Sequence, residues 1–108
     1  MKRRPALEAP KDDAPLTALA GALAALDTPA AVRAFLEDLC TPAELEAMAD
    51  RWRVVPLLLK GVPYREIHDL TQVSVTTIGR VARTLERGTG GYATAVQSQQ
   101  AASPSASH

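Results

Sequence analysis

Residues 63–85, PYREIHDLTQVSVTTIGRVARTL, constrain the fold more than any other part of the chain, because their aliphatic residues recur at the intervals of two short helices crossing at a tight turn. In this register Ile67 and Leu70 mark the inner face of a first helix, Val73 lies in the turn, and Val75, Ile78, Val81 and Leu85 mark the inner face of a second. Ser74 precedes the second helix, where its hydroxyl can accept a hydrogen bond from a first-turn N–H. The spacing predicts a helix-turn-helix over residues 64–86. The outer face of its second helix carries Thr76, Thr77, Gly79, Arg80 and Arg83, small or polar groups that fit base edges and cations suited to phosphate or guanine. Arg65, at the start of the first helix, is placed for the phosphate backbone, and His68 either packs or faces phosphate. The pattern predicts a binder of double-stranded DNA with Arg65, His68, Ser74, Thr76, Thr77, Gly79, Arg80 and Arg83 at the interface. Gln72 occupies the turn position that usually favours glycine, so a positive φ there would carry strain.

The remainder predicts an all-α domain. The 108 residues are 46% hydrophobic and only 4% aromatic, so the apolar content is mostly Ala, Leu and Val, a blend that favours helices over sheets. The single Cys40 excludes an internal disulfide framework and a multi-cysteine metal site, and is expected as a small core residue. No second histidine stands at ligand spacing from His68, so no metal is expected. There is no run of about eighteen apolar residues to span a bilayer, and Met1-Lys2-Arg3-Arg4 leads into Pro5 and Glu8 instead of an apolar signal core. The expected setting is the cytoplasm, on the nucleoid, with no membrane partner.

Residues 1–13 mix charge with Pro5 and Pro10 and are read as a mobile arm. A domain is expected over residues 14–92. Pro15 opens a helix with Leu16, Leu19, Ala20, Leu23 and Leu26 along one face, which must be buried somewhere. Asp27-Thr28-Pro29 stops it and starts another, with Val32, Phe35, Leu36 and Leu39 inward. Thr41-Pro42-Ala43-Glu44 has the form of a capping box and begins a third helix with Leu45, Met48, Trp52, Val55 and Leu59 on one stripe. Pro56 is expected to bend that helix, and Gly61 to end it. Beyond Arg87, Gly88, Gly90 and Gly91 break the helical pattern, Tyr92 is placed to pack back on the body, and residues 93–108 are read as a disordered tail.

Formal net charge is zero, yet the charges are segregated. Residues 50–87 carry seven basic side chains against four acidic, whereas residues 1–49 carry five against eight. The half containing the motif is therefore the basic half, as phosphate contact requires. So small a chain has little interior for the leucines and valines of residues 16–39, which predicts a homodimer; two reading helices would then meet successive major grooves of a palindromic site. Catalysis is not expected: Ser74 has no evident base partner, His68 and Asp69 face different sides of a helix, and the glycine-rich Gly88-Thr89-Gly90-Gly91 follows a helix instead of preceding one. The competing reading is a helical protein-interaction module without DNA affinity.

Phe35-Leu36-Glu37-Asp38-Leu39-Cys40-Thr41-Pro42, residues 45–53, and above all Tyr64-Arg65-Glu66-Ile67 through Thr77-Ile78-Gly79-Arg80-Val81 resemble the tryptophan repressor (TrpR) superfamily, most closely its YerC/YecD-type TrpR-like branch. The similarity covers roughly residues 16–92. It implies an all-helical, intertwined homodimer and a bacterial transcriptional regulator, a repressor by family. It also implies where an effector pocket would lie. Thr41, Arg51 and Arg80 match the positions that hold the amino and carboxylate groups of tryptophan and sandwich its ring. The glycine beside the indole is Val81 here, and a polar position one turn later is Thr84. Val81 would fill that space with its own methyl groups, so no cofactor is expected, and L-tryptophan is the one effector the resemblance raises.

Overall fold

Hydroxyl, proline and glycine residues set the helix ends in the computed structural model of the chain, which describes residues 13–102. The mobile arm expected over residues 1–13 falls, Asp13 apart, outside the described residues, as do residues 103–108 of the expected tail. Six helices and no strand occur among the described residues, so the fold is all-α. They fall into two compact units, one ending at Thr41 and one beginning at Pro42.

The first unit holds α1 (Ala14–Ala24) and α2 (Pro29–Leu39). Thr28 caps α2, its hydroxyl accepting from the Ala31 N–H at 3.1 Å, and Pro29 follows at the position where a missing N–H is harmless. Arg33 and Glu37 form an exposed one-turn ion pair at 3.0 Å, worth a few tenths of a kcal/mol (~0.3). No residue of either helix is buried. Leu16 is 65% and Leu39 53% exposed, and Cys40 is half-buried, not a core residue.

The second unit comprises α3 (Pro42–Leu59), α4 (Tyr64–Thr71), α5 (Val75–Arg87) and α6 (Gly91–Ala102). Helix α3 packs on α4, α5 and α6, and α4 packs on α5. Val54 and Val55 of α3, Ile67 of α4, Val73 of the turn, and Ile78 and Val81 of α5 form the buried core. Each such side chain contributes roughly 1.5–3 kcal/mol by leaving water. Pro56 sits inside α3 and donates no hydrogen bond, a defect of about 3 kcal/mol in a bare helix, but the adjacent Val54 and Val55 are fully buried and hold the helix continuous. At its end the Gly61 N–H bonds the Leu58 carbonyl and the Val62 N–H bonds the Leu57 carbonyl, both at 3.0 Å, with Gly61 at φ 80°. This is a Schellman stop, and it needs glycine at the left-handed position.

Two sequence expectations require correction. Residues 93–102, read as tail, belong to α6, whose Tyr92 ring lies 6.4 Å from that of Trp52 and whose Val96 packs on the core. The three glycines after Arg87 break one helix; they do not end the helical part. The inner stripes also differ in register. Leu70 is 61% and Val75 51% exposed, and Met48 and Leu59 are 40% and 50% exposed. On α4 the stripe steps four residues from Ile67 to Thr71 instead of three to Leu70, and Val75 is the outward first residue of α5. On α3 the core takes Val54 beside Val55.

Thr71 can replace an aliphatic residue because its hydroxyl is satisfied twice: it donates to the Ile67 carbonyl at 2.7 Å and accepts from the Val73 N–H at 3.1 Å. Gln72 takes φ 65°, ψ 10°, the left-handed conformation that costs a side-chain-bearing residue about 1–2 kcal/mol, and its N–H closes α4 on the His68 carbonyl at 2.7 Å. Ser74 then caps α5, accepting from the Thr77 N–H at 3.1 Å. Replacing Gln72→Gly should stabilise the protein by about 0.5–1 kcal/mol, the left-handed strain less the added chain entropy. Ser74→Ala should destabilise it by about 1 kcal/mol. Urea unfolding followed by circular dichroism reads both, and equal midpoints for the three proteins would refute the assigned strain and cap.

Candidate nucleic-acid interface

At 3.6 residues per turn, the burial of Ile78 and Val81 orients the rest of α5. Thr76, Arg80, Arg83 and Arg87 fall on the opposite side and are all exposed. Arg80, Arg83 and Arg87, with Thr84 and Gly88, line one open groove along the helix. The ion pairs formed among the described residues are Arg33 with Glu37 and Arg53 with Asp50, so none of these three arginines is neutralised by a carboxylate there. A row of unpaired guanidinium groups beside a small hydroxyl is chemically suited to phosphate oxygens and to the acceptor edge of guanine. Arg87 was absent from the residues expected at the interface. Its signal was present in the sequence, since 80, 83 and 87 keep the three- and four-residue steps of one helix face.

The other expected residues are placed unequally. Thr77 is half-buried, and its hydroxyl accepts from Ser74 Oγ at 3.0 Å, so both side chains are committed to the start of α5. Arg65 is exposed in the first turn of α4. Gly79 is half-buried between Tyr64 and Arg83: a Cβ built there would lie 3.9 Å from Tyr64 Cε2 and 3.7 Å from Arg83 Nη1. His68 is part-buried, with Nδ1 2.8 Å from the Val73 carbonyl. A carbonyl only accepts, so Nδ1 carries the proton, and Nε2 is the nitrogen not used by this bond. The imidazole thereby braces the turn from the α4 side.

Of the residues assigned to an effector pocket, Thr41 ends the first unit, and Arg51, Arg80, Val81 and Thr84 belong to the second. Arg51 is half-buried on α3. The Thr84 hydroxyl donates to the Arg80 carbonyl at 3.1 Å on the surface of α5, whereas Val81 is fully buried among the aliphatic core. Among the described residues no group of three His, Cys, Asp or Glu side chains is placed to hold a metal ion, and no helix is long and apolar enough to cross a membrane.

The family model of the Trp repressor protein matches residues 14–100, from the start of α1 into the last turns of α6. The chain belongs to the Trp repressor family. It is also 40% identical over 58 residues to "Uncharacterized protein YerC" of Bacillus subtilis (strain 168), a stretch that covers 54% of this chain and 56% of that relative. The chain thus spans little more than half the length of the curated relative it matches. No solved structure matches it. Within this family member the His68 bond is open to direct test: His68→Ala should lower stability by about 1 kcal/mol, because the Val73 carbonyl loses its imidazole donor. An unchanged urea midpoint would show that the bond contributes nothing.

Proposed function

We propose that the chain is a sequence-specific transcriptional repressor that binds a palindromic operator as a homodimer, with α4 and α5 forming its helix-turn-helix. The observation that carries this reading is the exposed stripe of Thr76, Arg80, Arg83 and Arg87, free of carboxylate partners among the described residues and backed by the buried Ile78 and Val81. Arg80, nearer the start of α5, is the base-reading candidate; Arg83 and Arg87, one and two turns further, suit the phosphate backbone as the helix leaves the groove. Membership of the Trp repressor family supports the same reading. The dimer is supported by α1 and α2, whose aliphatic side chains are at most half-buried among the described residues. A second copy of the same surface is the economical cover.

Regulation by tryptophan is not part of this reading. The fully buried Val81 favours a core plugged by a fixed side chain over one awaiting a ligand.

Duplexes selected from a random pool and measured by fluorescence anisotropy test the proposal. Binding should weaken steeply with salt, Arg83→Ala and Arg87→Ala should each reduce the salt slope by about one, and Arg80→Ala should cost roughly 1–3 kcal/mol and relax preference at one position per half-site. Sedimentation should give twice the monomer mass. Titration with L-tryptophan should give no saturable heat. A chain that dimerises and ignores every duplex would instead be an interaction module.

A further inference from the structure

Gly79 is a glycine that the fold does not need. It lies inside α5, where glycine weakens a helix relative to alanine, and it is not among the residues with positive φ. Its neighbours leave room for a side chain, since the nearest atoms to an added Cβ are the far ends of Arg83 and Tyr64 at 3.7 and 3.9 Å, both ordinary contacts. The glycines around it differ. Gly61 and Gly90 adopt φ of 80° and 87°, and a Cβ on Gly88 would stand 2.6 Å from the Thr84 carbonyl oxygen. Gly21 of α1 is more open still, with nothing within 4 Å of an added Cβ, but Gly79 is the one that lies on the helix carrying the arginine stripe.

We infer that Gly79 is a specificity position, its missing side chain leaving a shallow seat on α5, between the Tyr64 ring and the Arg83 guanidinium, for the methyl group of a thymine. The floor of this seat is the α5 backbone at Gly79, and one wall is the carbon edge of the Tyr64 ring, 42% exposed at the start of α4. Glycine presents no side-chain donor or acceptor, so the base-edge group that gains most there is the apolar one, the thymine C5-methyl. Arg83, four residues on and on the same side of the helix, closes the other wall and is positioned to hold a phosphate while the base is read. An alanine methyl would occupy the volume the thymine methyl needs.

This inference rests on the DNA-binding reading, and the experiment separates the two. Duplexes selected by the wild-type protein are measured again with each thymine replaced in turn by uracil, which deletes only the methyl group. The wild-type protein should lose about fourfold in affinity at one thymine per half-site, the worth of one buried methyl. Gly79→Ala should remain dimeric with a Tm a few degrees higher, bind the selected duplex at least about tenfold more weakly, and no longer distinguish thymine from uracil at that position. Because the variant is expected to be more stable, weaker binding cannot be ascribed to unfolding. Wild-type affinity in Gly79→Ala, or indifference of the wild-type protein to every uracil, overturns the inference and leaves the DNA-binding reading standing. Loss of the dimer in Gly79→Ala overturns it by assigning the glycine to the subunit contact. Failure of the wild-type protein to select any duplex removes both.

Discussion

The direction in which α5 leaves α4 is set by a buried hydroxyl. Thr71 Oγ1 links the Ile67 carbonyl, one turn back in α4, to the Val73 N–H beyond the turn, so the backbone on both sides of Gln72 is held by one side chain. His68 grips the same Val73 from its carbonyl side, and Ser74 begins α5 at the next residue. Three polar side chains therefore satisfy the backbone of a turn that has too few residues to satisfy itself. With those bonds in place, Val73 is pressed to 4% exposure and Ile78 and Val81 follow into the core beside Val54, Val55 and Ile67. The exposure of the arginine stripe is a geometric consequence: residues opposite Ile78 and Val81 on a rigid helix have nowhere to go but outward. The same bracing explains how a glutamine is tolerated in the left-handed region, since the surrounding contacts over-determine the conformation.

Local chemistry was legible in the sequence wherever one residue suffices to specify it. Thr28 and Ser74 as caps, Gly61 as a stop and Gln72 as the strained turn residue all follow from neighbours within four positions, and the structure places each in that role. The two helices expected within residues 64–86 are α4, Tyr64–Thr71, and α5, Val75–Arg87. Less legible was which aliphatic residue of a mixed stripe turns inward. Leu70 and Thr71 are adjacent, hydropathy favours Leu70, and the outcome was decided by a hydrogen bond that lets a hydroxyl be buried while a leucine stays 61% exposed. Helix α6 was hidden for a different reason. Its sequence, GYATAVQSQQAA, carries almost no amphipathic pattern, and it is joined to the unit by long-range packing of Tyr92 and Val96, which no local window contains.

The candidate interface was legible as a face and less so as a set of roles. Arg80, Arg83 and Thr76 sit outward as their spacing requires, but Thr77, which looked equivalent to Thr76 in the sequence, is half-buried and bonds the capping Ser74 through both its hydroxyl and its N–H. Their contribution to any bound duplex is then to hold the helix start in position for Thr76 and Arg80. A capped helix start also leaves part of the positive end of its dipole directed at whatever approaches it, which favours phosphate. Neutral net charge is no obstacle to this arrangement, because the charges are segregated along the chain and residues 50–87 carry the basic surplus.

The contrast between the two units bears on how the proposed repressor would be assembled. Residues 42–102 contain an aliphatic core whose buried Thr71 is paired, whereas in α1 and α2 Leu16 and Leu39 are exposed and Leu19, Leu23, Phe35 and Leu36 are only half-buried. A helix pair left in that state loses chain entropy with only part of the hydrophobic gain that would offset it. Its helices are therefore expected to draw their stability from the proposed subunit contact, while α4 and α5 draw theirs from α3. In the proposed dimer, folding and binding would then be coupled in one direction: dilution that separates subunits would loosen α1 and α2 first and remove the second copy of α5, while each α4–α5 pair would stay folded on α3 and meet only half of the proposed site. For the proposed repressor, this division of the core would make affinity for the proposed operator fall cooperatively with dilution, with no small-molecule effector required.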